Sequence, residues 1–469
     1  MVEVKLIGHE NFYGLADVLR LFFTYISEDR ENSRVFTNNG PDISIISEVK
    51  SGKVITTCEQ FEIIRPSDEI GAKREVKRSL YELLVKITGQ EYPWGCLTGI
   101  RPTLVAGEVK SPYEMSSKYH VREDKAKLAF QTQKKEEAIL AEVREDSLNM
   151  YIGVPFCPTR CEYCSFVAQE ISHHLKILGE YEKALERELE LIGSKIRKPL
   201  ASIYMGGGTP TVFEDKDMEA VLKAIRKYLP MDSNTEFTVE AGRPDTITHR
   251  KLVAMKEAGV NRICINPQTM NSETLSKLNR RHTAEDIIRV YKDAKELGFD
   301  VINMDLIAGL KYEEAEELIK SLDEVLKLNP ANITIHTLYK KRNANMSKDV
   351  VLDTKNERGD IDTALVDAYK ILAENGYEPY YMYRQKDTGH GLENVGFAKG
   401  DTANRYNVAM MSDKRNVISV GAGGMSKRIF DKGRLERCPT IKDVHSYIRS
   451  VDQVAAKKID FFELDVIDY

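Results

Sequence analysis

Several things are scarce in this 469-residue chain, and each scarcity removes a class of function. It has no basic surplus: the formal net charge is −5 at pH 7 and no Lys/Arg block stands out, so nothing argues for a nucleic-acid partner. No apolar run approaches the ~20 residues of a membrane span. The N-terminal stretch MVEVKLIGHENF lacks the basic n-region and apolar h-region of a signal peptide, so the expected location is cytoplasmic. There is one tryptophan, Trp94, and no internal repeat or low-complexity segment. Cysteines number seven, which in a cytosolic chain points to metal or redox chemistry rather than disulfides. Cys58, Cys96, Cys264 and Cys438 are scattered and read as small core residues.

The other three cysteines lie together in YIGVPFCPTRCEYCSF, residues 151–166. Cys157, Cys161 and Cys164 have C-x3-C-x2-C spacing, so three thiolates can converge on one inorganic centre. Structural zinc normally takes four ligands, and the next candidates, His173 and His174, sit beyond an expected turn. A disulfide would leave one cysteine over. A [4Fe–4S] cluster with one iron open to a small molecule suits three cysteines; zinc is the alternative.

With 42% apolar and 30% charged residues, the chain has material for a sizeable core, and its length predicts two or three domains. Residues 1–147 read as an α+β domain. Its expected strands are VEVKLIG, DISIISEV and KVITTCEQFEII, and its expected helices are FYGLADVLRLFFTYI and KREVKRSLYELLVKIT. PWGCLTGIRPTLV follows as a packing loop, or as a loop that brings Arg101 to an anionic substrate. A charged helix over 122–147 leads into the next region.

From 148 to 345, strands alternate regularly with helices. The strands are NMYIGVP, ASIYMG, EFTVEAG, NRICINPQ, VINMDLIAG and NITIHTLY. This pattern predicts an α/β fold with a parallel sheet and right-handed crossovers, as an open, partial (β/α)6 barrel. Ligands of such folds sit at the C-terminal strand ends, where the cysteine loop and GGGTPT (206–211) fall. The polar stretch 340–358 reads as a loop, and 346–469 as a C-terminal α/β extension covering the barrel mouth.

The cysteine motif, with the aromatic Tyr163 before its last cysteine, resembles that of the radical S-adenosyl-L-methionine (SAM) superfamily. The series YIGVPFC, GGGTPT, TVEAGRPD, CINPQTM, KLNRRHT and NMDLIAGL is similar to the oxygen-independent coproporphyrinogen III oxidases. LTGIRPT, YRQK, ENVGF and the long N-terminal region resemble the HemZ-type, coproporphyrinogen dehydrogenase-like branch. The resemblance implies that Cys157, Cys161 and Cys164 ligate a [4Fe–4S] cluster. It implies SAM contacts from Tyr151, Tyr163, Gly207, Gly208, Thr209, Glu240, Gln268, Arg280 and Asp305. The implied activity is radical oxidative decarboxylation of coproporphyrinogen III propionates to vinyl groups in haem biosynthesis, with a flavodoxin- or ferredoxin-type electron donor. A radical SAM reaction on another tetrapyrrole such as haem, or a haem carrier, is the alternative.

The chain also departs from the family. Ser165 and Phe166 stand where the established oxidases carry glycine and cysteine. RYNVAMM (405–411) lacks the histidine, final tyrosine and tryptophan of the HNxxYW-like motif in the haem-chaperone branch. Arg101, Arg384, Lys386, Tyr381 and Tyr383 are candidate contacts for a tetrapyrrole, against the reading that they pack or are solvated.

Overall fold

The computed structural model describes residues 1–23, 25–164, 169–171, 175–338, 354–385, 391–430 and 433–464. Residues Met1–Gln133 with Tyr383–Glu393 form one compact unit, and Lys134–Met382 with Asn394–Tyr469 form the other.

The first unit is built on a six-stranded sheet. Its strands are β1 (Val2–Ile7), β2 (Ile26–Asp29), β3 (Arg34–Thr37), β4 (Ile43–Lys50), β5 (Lys53–Thr57) and β6 (Glu62–Pro66), in the order β2-β3-β1-β4-β5-β6. α1 (Phe12–Phe22) and α2 (Ala72–Thr88) pack on it through Leu15, Leu19, Leu80 and Leu84, all fully buried. The apolar residues recur at helical spacing, so each helix presents one stripe to the sheet. α2 stops at Gly89, whose φ of 67° continues no helix. α3 (Pro102–Glu108), α4 (Pro112–Tyr119) and the long α5 (Glu123–Glu142) follow.

Of PWGCLTGIRPTLV, the first part packs as a loop within this unit and PTLV opens α3. Trp94 is 1% exposed, and its indole N–H donates to the Glu393 carboxylate at 2.7 Å. Lys125 Nζ lies 2.6 Å from the other Glu393 oxygen. Arg384 stacks over the Trp94 ring and donates to the carbonyls of Leu97 and Gly391. The burial that lowers the Arg384 pKa to about 10 also takes it out of reach of a bulk ligand, so it packs rather than binds. Arg101 occupies the N-cap position of α3. Lys386 lies outside the described residues.

The second unit carries the alternation expected from sequence. β7 (Leu148–Val154) leads into a two-residue strand, β8 (Phe156–Cys157), which pairs with β9 (Gln169–Glu170). Then come α6 (Leu175–Gly193), β10 (Leu200–Gly207), α7 (Asp215–Tyr228), β11 (Glu236–Gly242), α8 (His249–Glu257) and β12 (Arg262–Ile265). α9 (Ser272–Lys277), α10 (Ala284–Glu296), β13 (Val301–Ala308), α11 (Glu317–Leu328) and β14 (Asn332–Thr337) complete the series. β7, β10, β11, β12, β13 and β14 are neighbours in that order and all parallel.

The sheet does not stop at six strands. α12 (Thr354–Glu374) precedes β15 (Glu378–Arg384) and β16 (Glu393–Ala398), which extend one edge beyond β14. α13 (Arg405–Ser412) is followed by β17 (Val417–Val420), β18 (Met425–Ile429) and β19 (Leu435–Pro439), which extend the other edge beyond β7. The C-terminal stretch therefore builds both edges of the sheet. Residues 340–353 of the expected polar loop lie outside the described residues, and the remainder is helix from Thr354.

α14 (Val444–Arg449) and α15 (Val451–Phe462) close the unit against α6. A buried network pins them there: Glu188 takes Lys458 Nζ at 2.5 Å, the Tyr447 hydroxyl at 2.6 Å and the Gly421 amide at 2.8 Å. Among the described residues, no helix is long and apolar enough to cross a membrane.

Candidate active site

Along the parallel strands, side chains alternate sharply in character. Ile203, Met205, Val239, Ile263, Ile302, Met304, Ile333 and Ile335 are fully buried. The opposite parity carries Tyr151, Tyr204, Glu240, Cys264, Asn303, Asp305, Thr334 and His336. A strand of period two that is apolar on one face and polar on the other marks that second face as something other than packing core.

The glycines after β10 fit this polar face tightly. Gly207 has a φ of 115°, and a Cβ there would stand 2.9 Å from the Tyr151 hydroxyl. A Cβ on Gly208 would meet the Phe156 carbonyl oxygen at 2.3 Å. The backbone is thus drawn against the cysteine loop, and Thr209 N–H donates to the Phe156 carbonyl at 2.7 Å. The Gly207 amide donates to Glu240 Oε2 at 3.1 Å, and the Tyr204 hydroxyl to Oε1 at 2.5 Å. Burial still pushes the Glu240 carboxyl above its ordinary value.

Asp305 has the opposite bias. Burial works against its charge, but His336 at 3.7 Å, Asn303 at 2.7 Å and Thr334 together hold its pKa below the ordinary value. Gln268 sits beside it through the backbone: its amide donates to the Asp305 carbonyl at 2.8 Å, and its own carbonyl accepts from Ile307 at 2.9 Å. This pairing holds Gln268 at a φ of 70°, unusual for a residue with a side chain.

The three cysteines occupy the loop after β7. Cys161 is buried, whereas Cys157 and Cys164 are half-buried. Thr209 Oγ1 lies 3.5 Å from Cys157 Sγ. Burial pushes the Cys157 thiol up to about 11; the Thr209 contact and the Arg243 charge oppose this, and the neighbouring Cys161 and Cys164 reinforce it. Three mutually repelling thiolates suit a centre that supplies positive charge. Among the described residues, no three Cys, His, Asp or Glu side chains converge on a single metal ion. A [4Fe–4S] cluster gives each thiolate its own iron. Ser165 and Phe166 lie outside the described residues, as do His173 and His174.

Arg280 is turned toward this loop. It donates to the Tyr163 hydroxyl at 3.1 Å and the Asn266 carbonyl at 2.7 Å, and lies 3.9 Å from Cys161 Sγ. Burial opposes its charge, but Tyr163 and Cys161 outweigh it and raise the guanidinium pKa. Its buried Nε has no hydrogen-bond partner among the described residues, which leaves a donor for a bound group. Tyr163 also packs against Leu278, Ile307 and Leu310.

The structure therefore gathers the expected residues into two neighbourhoods. Tyr151, Gly207 and Glu240 form one with Thr209 and Cys157; Arg280, Tyr163 and Cys161 form the other. Gln268 and Asp305 are joined to each other. Sequence reading missed His336, Asn303, Tyr204 and Tyr406. The first three share strand parity with Asp305, Tyr151 and Glu240, so period-two alternation carried the signal. Tyr406, on α13, lies in the RYNVAMM stretch, but nothing local places its ring, which stacks on Tyr204 at 4.6 Å and near Tyr151 at 6.1 Å.

Residues 151–325 match the family model described as the radical SAM superfamily. A Bacillus subtilis (strain 168) protein named oxygen-independent coproporphyrinogen-III oxidase-like protein HemZ is 35% identical over 411 residues, covering 84% of this chain and 82% of its own. The Escherichia coli (strain K12) heme chaperone HemW is 28% identical, covering 68% of this chain and 82% of its own. The structure of the radical SAM enzyme coproporphyrinogen III oxidase (HemN) from Escherichia coli superposes with a TM-score of 0.54 at 22% identity. That superposition covers 68% of this chain and 72% of the other, and supports the fold alone. The superfamily's cofactors are a [4Fe–4S] cluster and SAM. The chain belongs to the radical SAM superfamily, among the HemZ-type relatives of the oxygen-independent coproporphyrinogen III oxidases.

Proposed function

We propose that this chain is a radical SAM oxidoreductase that decarboxylates two propionates of coproporphyrinogen III to vinyl groups, giving protoporphyrinogen IX. The observation that carries the reading is the cradle at the strand ends. Gly207 and Gly208 hold their backbone against Tyr151 and Phe156, Glu240 waits at 3.1 Å from the Gly207 amide, and the thiol of Cys157 stands beside Thr209. A cradle that any Cβ would fill, next to three thiols, fits a small molecule held at an open iron.

In this reading Cys157, Cys161 and Cys164 hold the cluster. Tyr151, Tyr163, Gly207, Gly208, Thr209, Glu240, Gln268, Arg280 and Asp305 line the SAM site. When bound, these cofactors supply a carbon radical able to take a hydrogen atom from a propionate. Glu240 and Asp305 are acceptors for amino or hydroxyl groups, and Arg280 is a cation for a carboxylate. Per propionate, the substrate gives one hydrogen atom to that radical and one electron to a one-electron acceptor and loses CO2, which leaves a vinyl group. A flavodoxin- or ferredoxin-type protein supplies the reducing electron for the cluster.

The haem-chaperone names among the relatives favour a second reading, a haem carrier. Against it, Tyr406 occupies the place of that branch's histidine and is 5% exposed within the tyrosine stack. Anaerobic incubation with reductant, SAM and coproporphyrinogen III separates the two. Loss of two CO2 per porphyrin, abolished in Cys161→Ala, supports the enzyme. Stoichiometric haem binding with no porphyrin mass change supports the carrier.

A further inference from the structure

Inside the cysteine loop, between Cys157 and Cys161, sits Thr159, which is 2% exposed. Its hydroxyl accepts from Arg243 Nη1 at 2.7 Å and donates to the Asn279 carbonyl at 2.9 Å; its carbonyl lies 3.3 Å from the same Nη1. Asn279 returns to the loop by donating to the Arg160 carbonyl at 3.0 Å. Arg243, 3% exposed, follows β11 and is fixed on its other side by Asp245, with Nε to Oδ1 at 3.0 Å and Nη2 to Oδ2 at 2.8 Å. The His282 ring, also buried, faces Asp245 at 3.6 Å.

We propose that Arg243 is a positioning residue that clamps the cysteine loop and sets the reduction potential of the cluster bound there. Two physical facts lead to this. A fork held rigidly by a carboxylate offers its remaining donor in one direction, and that direction is the midpoint of the C-x3-C segment. A buried guanidinium is also a poor choice for stability alone, since an apolar residue of similar volume commonly does as well. Its charge near the thiolates favours the more negative, reduced cluster, and Asp245 tempers that bias. Hydrogen bonds and net charge around the sulfurs are among the levers that set such potentials.

The inference rests on the cluster reading of the loop, not on the substrate. The test is an anaerobic redox titration of the full-length, iron- and sulfide-loaded chain, with iron content measured alongside. Loading of the native chain with four irons checks the cluster reading; the variants check the clamp. R243Q is expected to lower the reduced-to-oxidised ratio at fixed potential about tenfold, about 59 mV for a one-electron couple. D245N, which unmasks the guanidinium, is expected to move the potential up. R243K keeps the charge but loses the fork, so its potential stays near native while iron is lost faster. Loaded R243Q and D245N with native potentials, or shifts in the same direction, would overturn the proposal. If R243Q does not fold, an unshifted D245N overturns it by itself.

Discussion

The amide of Gly207 donates to the Glu240 carboxylate at 3.1 Å, tying the glycine turn after the second parallel strand to the end of the third. Neither residue explains the geometry alone. The left-handed φ of 115° points the amide at the carboxylate, and the carboxylate fills the space beside the turn that a side chain on Gly206 would need, 2.7 Å away. The pair makes a fixed rim beside Cys157, with donors and acceptors left over for a ligand.

Gly207→Ala is expected to weaken SAM binding on the order of tenfold or more. The substitution forces a side chain into a left-handed conformation at about 1–3 kcal/mol and toward the Tyr151 hydroxyl. Glu240→Gln is expected to weaken binding by a similar factor while leaving the melting temperature nearly unchanged, because its amide keeps one acceptor for Gly207. Equilibrium dialysis with SAM and thermal melts of both variants check this; an unchanged SAM affinity in both would remove the cradle from the binding site.

The Glu188–Lys458 pair is fully buried at 2.5 Å, so breaking it leaves one charge without compensation. Lys458→Met is expected to cost about 3–5 kcal/mol. Tyr447→Phe removes only one neutral donor from the same carboxylate and is expected to cost about 2 kcal/mol. Denaturant titrations of the two variants should rank them in that order.

In the first unit, Glu82 is 9% exposed and receives Arg65 at 2.5 Å and His120 at 2.6 Å. Burial raises its pKa, but these partners overcome that and hold it at about 2. A depressed carboxyl pKa contributes stability above its ordinary value of 4.5, and that contribution is lost as pH falls from there toward 2. Glu75 works in the opposite sense, since burial raises its pKa. Native protein is therefore expected to lose more stability than Glu82→Gln between pH 5 and 3, by about 2 kcal/mol. Parallel denaturation curves at those two pH values would check it; equal slopes would contradict it.

The six parallel strands were legible because each is a short β-branched run between helices of clear 3.6 periodicity. The cysteine and glycine motifs were legible because their chemistry depends on local spacing. What the sequence hid depends on long-range pairing. Nothing local says that β15 and β16 join one edge of the sheet and β17 to β19 the other, since strand order is set by the chain's return path. Gln268 gave no sign of its positive φ, which comes from its bridge to Leu306. Arg384 looked like a free cation beside aromatics, and only the fold shows its donors spent on the Leu97 and Gly391 carbonyls.

Propionate decarboxylation by this chain is tested by following a hydrogen atom. Vinyl formation requires its removal from the propionate carbon next to the pyrrole, so coproporphyrinogen III deuterated at that carbon should label the 5′-deoxyadenosine released from SAM. Deoxyadenosine one mass unit heavier is expected, accumulating in step with two CO2 lost per porphyrin, with neither product in Cys161→Ala. Unlabelled deoxyadenosine with an unchanged porphyrin mass would contradict it, and would leave a working radical site whose substrate is another molecule.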